Sequence, residues 1–361
     1  MTPGSSTRRE KHVQYLGIDV HSAASVWCLL DDCGQQVATG RSDTTFPALR
    51  NLACELAADD ELLAGQEVGT QAYLVHDAFT NAGVPIQSFN AAHLRMIAAS
   101  RRKTDRRDAY WIARSLQAGM TPHPVYIATG EVREVRKLLN RRRIVQRDRN
   151  RWQYRARAML RSHGLRTRTG GHYLRKYIDR LLEHPDGVHT ELLESLGLCE
   201  RFITMLGEEL AHVDATLVCR TEGNEVIERL QTIPGVGHVV AVMLYATIGD
   251  IHRFPNARRL SAYAGLVPTV RQSGDSASHG RITKEGSKHL RAALVQAAHI
   301  VARSKSSEAE PLRKVFDRIR GTRGRRKIAL VALARHLLRI AFHVWREGTA
   351  YDPDKVGCPT D

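Results

Sequence analysis

The chain has 361 residues, 42% of them hydrophobic, and its 54 Lys and Arg against 38 Asp and Glu leave a net charge of +16. That length allows two domains or three with real cores, and that charge points to a polyanionic partner, nucleic acid ahead of an anionic membrane surface. The absence of about 18 consecutive apolar residues and of a signal-peptide pattern over residues 1–11 argues against a spanning or secreted chain, and six cysteines without a C-x-x-C pair read as reduced thiols of a cytoplasmic protein.

Residues 1–12 are polar and read as a loose tail. Residues 13–20 read as a strand entering a core, with Asp19 near its end. Residues 24–30 form a second strand, 32–35 a hairpin turn and 36–40 a third strand. Phe46, Leu49, Leu52, Ala53 and Leu56 have helical spacing. A fourth strand over 62–67 ends in Glu67, a helix over 71–82 stops at Gly83, and a fifth strand covers 84–89. Three strands followed by strand–helix alternation is how a ribonuclease H-like sheet is threaded. The first domain is expected to span 13–125.

The run Lys103-Thr104-Asp105-Arg106-Arg107-Asp108-Ala109 opens a further helix. There Asp105 and Asp108 lie one turn apart on one face. A surface salt-bridge lattice with Arg101, Arg102, Lys103, Arg106 and Arg107 can hold such a pair, and so can a divalent metal. A ribonuclease H-like fold places acids at the ends of its first and fourth strands and on a late helix, which makes Asp19, Glu67, Asp105 and Asp108 the candidate set. Four carboxylates gathered from distant positions repel one another without a cation. Mg²⁺, a hard ion that prefers carboxylate oxygens, suits them and suits phosphoryl transfer. His21 reads as a solvent-facing or capping residue, or as a support to that set. Arg101, Arg102 and Lys103 are candidate contacts to a nucleic-acid backbone.

Residues 131–164 hold 12 Lys/Arg against 3 Asp/Glu and no proline. Val135, Leu138, Val145, Trp152, Ala156 and Met159 recur at roughly heptad spacing, so one stripe packs on a partner helix. The remaining surface is cationic, and Arg141, Arg142, Arg143, Arg147, Arg151 and Arg155 are candidate phosphate contacts. Residues 170–187 read as an irregular connector, and 191–220 as a second long helix that folds back on the first or pairs between subunits. A helical coiled-coil region over 126–222 is expected.

A mainly α-helical domain follows over 223–350. Helix, Pro234-Gly235-Val236-Gly237 turn and helix form a helix-hairpin-helix pattern, in which Gly235 and Gly237 let the backbone approach a phosphate. Residues 254–286 read as a basic loop of small residues, with Arg271, Arg281 and Lys284 as candidate nucleic-acid contacts. Ser273, beside Gly274, is accessible as a nucleophile must be, although most loop serines do no chemistry. Amphipathic helices over 290–302 and 328–344 close the domain, and 351–361 is expected to be loose.

Gly17-Ile18-Asp19-Val20-His21, Glu67 before Gly69, the run from Lys103 to Ala109, Pro234 to Gly237, Ala262-Tyr263-Ala264-Gly265-Leu266-Val267-Pro268, Ser273-Gly274 and Gly280 to Gly286 together resemble the DEDD-type transposases of the insertion-sequence 110 family. That family includes the Piv-type DNA invertases and the bridge-RNA-guided recombinases. The resemblance covers about residues 13–346. It implies a RuvC-like N-terminal domain in which Asp19, Glu67, Asp105 and Asp108 bind Mg²⁺, with Mn²⁺ able to substitute. It also implies a C-terminal serine that forms a covalent link to DNA. The family position falls on Ser273, with Ser276 and Ser278 as neighbouring rivals. Implied partners are DNA, a structured guide RNA from the element, and further copies of the chain as a dimer or tetramer, with no membrane. Where many members read Glu-Ala-Thr-Gly, this chain has Glu67-Val68-Gly69-Thr70, so the strand exit differs. A metal-only nuclease or junction resolvase and a non-enzymatic nucleic-acid-binding protein are the rival functions.

Overall fold

The computed structural model describes residues 12–92, 94, 104–165, 174–182, 190–273, 276–321 and 325–357, the side chains of 180, 270–273, 276–279, 356 and 357 excepted. Met1–Ala128 and Thr129–Asp361 are two compact units.

In the first unit Val13–Asp19 (β1) is buried over Leu16, Gly17 and Ile18, as a central strand covered on both faces must be. Ala24–Leu30 (β2) pairs antiparallel with β1, and Gln36–Asp43 (β3) antiparallel with β2. Glu61–Glu67 (β4) runs parallel to β1, and Ile86–Phe89 (β5) parallel to β4. The sheet order is β3-β2-β1-β4-β5, consistent with the ribonuclease H-like threading. The third strand outruns its expected end at Gly40, because Arg41, Ser42 and Asp43 keep ladder pairs with Val26, Ser25 and Ala24.

Side chains alternate across the sheet and sort the helices. Leu16, Ile18, Leu62 and Ala64 share a core with Leu49 and Ala53 of Phe46–Leu56 (α1) and with Val75 and Phe79 of Ala72–Asn81 (α2). On the other face Cys28 and Leu30 meet Ala109 and Ala113 of Asp105–Gln117 (α3), and Phe89 meets Ile112 and Leu116. Gly17 lies under α3, where a Cβ would collide with the Ala109 carbonyl oxygen and the Ala113 amide nitrogen. The smallest residue on β1 therefore sets how closely α3, and its acids, approach the strand end. Gly17→Ala is expected to destabilise the protein by about 3 kcal/mol in urea denaturation. Gly197→Ala, inside a helix and with a Cβ that would meet only Arg201 Nη1 at 3.7 Å, should instead stabilise slightly, by up to about 1 kcal/mol.

The second unit opens with two long helices, Gly130–Ser162 (α4) and, after Leu174–Leu182 (α5), Thr190–Arg220 (α6). Val135 shares a core with Val213 and Leu217, Arg142 pairs with Asp214, Arg141 with Glu209, and Trp152 stacks on Phe202 at 4.3 Å. Rising numbers on α4 meet falling numbers on α6, so the pair is antiparallel within the chain. The expected irregular connector instead contains α5. Leu174 and Ile178, at i and i+4, are buried with Ala156, Leu196 and Ile203, and that burial orders the helix.

Glu225–Gln231 (α7), the turn at Pro234 to Gly237 and His238–Ile248 (α8) follow as expected. The expected basic loop over 254–286 is instead built from Ala257–Tyr263 (α9) and a hairpin of Pro268–Ser273 (β6) and Ser276–Ile282 (β7). The hairpin's base is tied to the domain. Lys284 N donates to Gly265 O at 3.2 Å, and Arg291 donates to the carbonyl oxygens of Ala264, Glu285 and Gly286 at 3.0, 2.9 and 3.2 Å. Lys288–Val301 (α10), Glu310–Arg320 (α11) and Arg326–Glu347 (α12) complete the domain. Among the described helices α12 is the one long and apolar enough to cross a membrane. Here Leu333, Leu337, Leu338 and Phe342 are buried in the domain core. The tail expected to be loose begins pinned, with Tyr351 N donating to Thr232 Oγ1 at 2.8 Å, and Pro353–Gly357 forms a 3₁₀ turn.

Candidate metal centre

Because β1 and β4 are parallel neighbours, their carboxyl ends lie on one edge of the sheet, and each ends in an acid, Asp19 and Glu67. The chain leaves Glu67 along β5, where Val68 N donates to Phe89 O at 2.8 Å. The helix α3 begins at extended Thr104, whose carbonyl accepts the amides of Arg107 and Asp108 at 2.9 and 3.0 Å. Asp105 and Asp108 occupy its first turn, where the helix dipole favours negative charge.

One cleft is lined by Asp19, His21, Glu67, Thr104, Asp105 and Asp108. All four sequence-predicted acids therefore meet. His21 joins them, with its Nε2 3.1 Å from Asp19 Oδ2 and 3.4 Å from Asp105 Oδ2. Among the described residues Asp19, His21 and Asp105 form a close set, each offering a ligand atom within 4.8 Å of the others. His21 is solvent-facing, as one sequence reading has it, and its ring also stands between two acids, as the supporting reading has it. The signal was its position two residues after Asp19.

Burial pushes the Asp19 carboxyl above its usual range, with Asp108 and Asp105 adding to the effect and His21 opposing it. A carboxyl raised on folding contributes stability below the ordinary carboxylate range, and that contribution is lost as pH rises through the raised value. At neutral pH the clustered charge opposes folding, and a bound cation would relieve it. The donor set is hard carboxylate oxygen with one imidazole, open to solvent on one side, which fits a divalent metal.

The other predicted positions divide. Arg101, Arg102 and Lys103 lie outside the described residues. Ser273 is the last residue of β6 and pairs in register with Ser276, while its side chain and that of Arg271 lie outside the described set. Arg281 and Lys284 are exposed, and Lys284 holds φ +60, rare for a residue with a side chain. Gly235 (φ +81) is required by packing: a Cβ there would stand 2.7 Å from the Ala297 carbonyl oxygen, so its space is filled by α10. At Gly237 an added Cβ would meet open space, and the residue caps α8.

On α4, Arg142 binds Asp214 through two nitrogens, one at 3.1 Å, and Arg141 binds Glu209 at 2.6 Å. Arg147 and Arg151 share Asp148 at 3.2 and 3.3 Å, Arg143 donates to Asn140, and Arg155 lies over the Trp152 ring. Much of the charge expected to face phosphate is engaged within the chain.

Residues 16–164 match the DEDD transposase model of the IS110 group, and residues 227–312 match the model described as transposase IS116/IS110/IS902 family. The chain is 27% identical over 311 residues to the transposase for insertion sequence element IS1111A of Coxiella burnetii, covering 82% of this chain and 80% of that protein. It is 30% identical over 183 residues to the transposase for IS1328 of Yersinia enterocolitica, half of each chain (50% and 49%). It is 34% identical over 135 residues to the pilin gene-inverting protein of Moraxella bovis, covering 37% of this chain and 41% of that one. Acids gathered at the strand ends and at the start of α3, within matches at both ends of the chain, lead to one conclusion: the chain belongs to the IS110/IS116 family of DEDD transposases.

Proposed function

We propose that this transposase cuts and rejoins DNA through a covalent phosphoserine link formed by Ser273, and that Asp19, Glu67, Asp105 and Asp108 of a RuvC-like domain hold Mg²⁺, for which Mn²⁺ can substitute. The convergence of four acids and His21 on one cleft carries the metal half of this reading. The metal, when bound, supplies Lewis-acid stabilisation of charge on phosphoryl oxygens. The carboxylates hold it at the edge of the sheet, where a DNA strand can reach. Ser273 Oγ attacks the phosphorus, the bond to one deoxyribose oxygen breaks, and that oxygen leaves with a proton. Attack by a DNA hydroxyl reverses the step and frees the serine. Bond energy is conserved, so no nucleotide cofactor is required.

Support for Ser273 comes from its place at the end of β6, on a hairpin anchored at its base by Arg291. The α7–α8 turn serves as a helix-hairpin-helix contact through Gly237, the long helices serve assembly into at least a dimer, and a structured RNA from the element selects the DNA. The work is done in the bacterial cytoplasm. The test is an adduct assay with purified protein, DNA carrying the element's ends, the flanking transcript and Mg²⁺. A denaturation-resistant protein–DNA species with a phosphorylated Ser273 peptide is expected. Metal-dependent cleavage with no adduct would instead establish activated water as nucleophile.

A further inference from the structure

The basic helix α4 carries most of the arginines that sequence assigns to nucleic acid, yet Arg141, Arg142, Arg147 and Arg151 are ion-paired within the chain. A second group of arginines gathers around α12. Arg335 and Arg339 lie one turn apart on that helix, Arg258 is exposed on α9, and Arg318 is exposed on α11. Both α9 and α11 pack on α12. Among the described residues Arg258, Arg318 and Arg335 form no ion pair, and Arg335 Nε is buried with no hydrogen-bond partner.

Like charges a turn apart on a helix repel. Burial, then the nearby Arg339 and Arg258, hold the Arg335 guanidinium below its ordinary range. On the neighbouring face of α12, burial and then Arg339 and Arg318 do the same to His336, whose Nε2 is also buried without a partner. Positive groups of α9, α11 and α12 thus stand near one another, with Arg339 close to both Arg335 and His336. The α12 positions stand on a helix fixed in the domain core, so an anion that binds there meets charges already held in place.

We propose that Arg258, Arg335 and Arg318, with Arg339 adding its charge beside them, form a cradle for the phosphate backbone of duplex DNA on the C-terminal unit. The proposal rests on the reading that this chain acts on DNA, and not on which group is the nucleophile. DNA is the favoured occupant because a transposase must hold duplex, and a group of guanidiniums offers bidentate donors to phosphates. Contacts of this kind position the duplex and carry no sequence information.

The experiment measures affinity for a fluorescent duplex bearing the element's end across a salt series, by anisotropy. Wild type is expected to bind with a steep salt slope. The double variant Arg258→Gln/Arg335→Gln should bind about tenfold or more weakly, and its slope should be shallower by about 0.9 for each phosphate no longer neutralised. Arg141→Gln/Arg142→Gln should leave the slope nearly unchanged. Arg258→Gln alone, at an exposed position, gives the same direction if the double variant fails to fold. An unchanged slope in folded cradle variants, with wild type binding steeply, overturns the cradle. Weakening confined to a structured RNA ligand also overturns it. A wild type that does not bind DNA overturns the DNA reading itself, together with the cradle.

Discussion

Asp105→Ala is expected to lower metal-dependent strand cleavage by roughly 10²–10³-fold, the range seen when one preorganised stabilising group is removed from a reacting centre. Asp105 stands 3.4 Å from His21 Nε2 at the exposed start of α3, where it supports no core packing. Its loss should therefore leave the fold intact. The second readout is thermal. Mg²⁺ should raise the melting temperature of wild type, because a cation offsets the burial of the Asp19 carboxylate and its repulsion by Asp108 and Asp105. In Asp105→Ala the metal-free protein should melt no lower than wild type, and most of the Mg²⁺-dependent gain should disappear. Differential scanning fluorimetry with and without chelator measures both. Equal Mg²⁺ shifts in the two proteins would remove Asp105 from the ligand set and restore the salt-bridge explanation of the D-x-x-D pair.

Ser273→Ala should abolish the covalent adduct and lower strand exchange on the order of 10⁴-fold or more, as deletion of a nucleophile does elsewhere, while DNA affinity and the Mg²⁺-dependent melting shift stay at wild-type values. Its cross-strand partner Ser276 is the informative control. Ser276→Ala should keep the adduct. If the adduct instead survives in Ser273→Ala and vanishes in Ser276→Ala, the nucleophile is on the other side of the turn. Gel analysis under denaturing conditions separates these outcomes, because both variants keep the backbone pairing that forms the hairpin.

Much of the first unit was legible in the sequence. The short, largely apolar strands at Val13 to Asp19 and at Leu62 to Glu67, each closed by an acid, are a local signal. The same holds for the helix that starts with Asp105 and Asp108. The hairpin over 268–282 was not legible, because its backbone ladder is formed by small and basic residues without apolar alternation, on a base anchored from outside by Arg291. The helix α5 was hidden for a related reason: its order comes from α4 and α6, between which its apolar stripe is buried.

By itself the sequence determined which acids stand at element ends, because residue order and strand period decide that locally. It also determined the long basic helix and its apolar stripe. Only the tertiary structure decided what those groups meet. It put Gly17 under α3 so that Asp105 reaches Asp19, placed His21 between two carboxylates, and assigned Gly235 to packing. It also turned Arg141 and Arg142 toward carboxylates of α6 while leaving Arg335 without one. The physical reason is the range of the forces. Backbone preference and periodicity act over a few residues, whereas charge pairing and close packing depend on neighbours that arrive only when distant segments fold together.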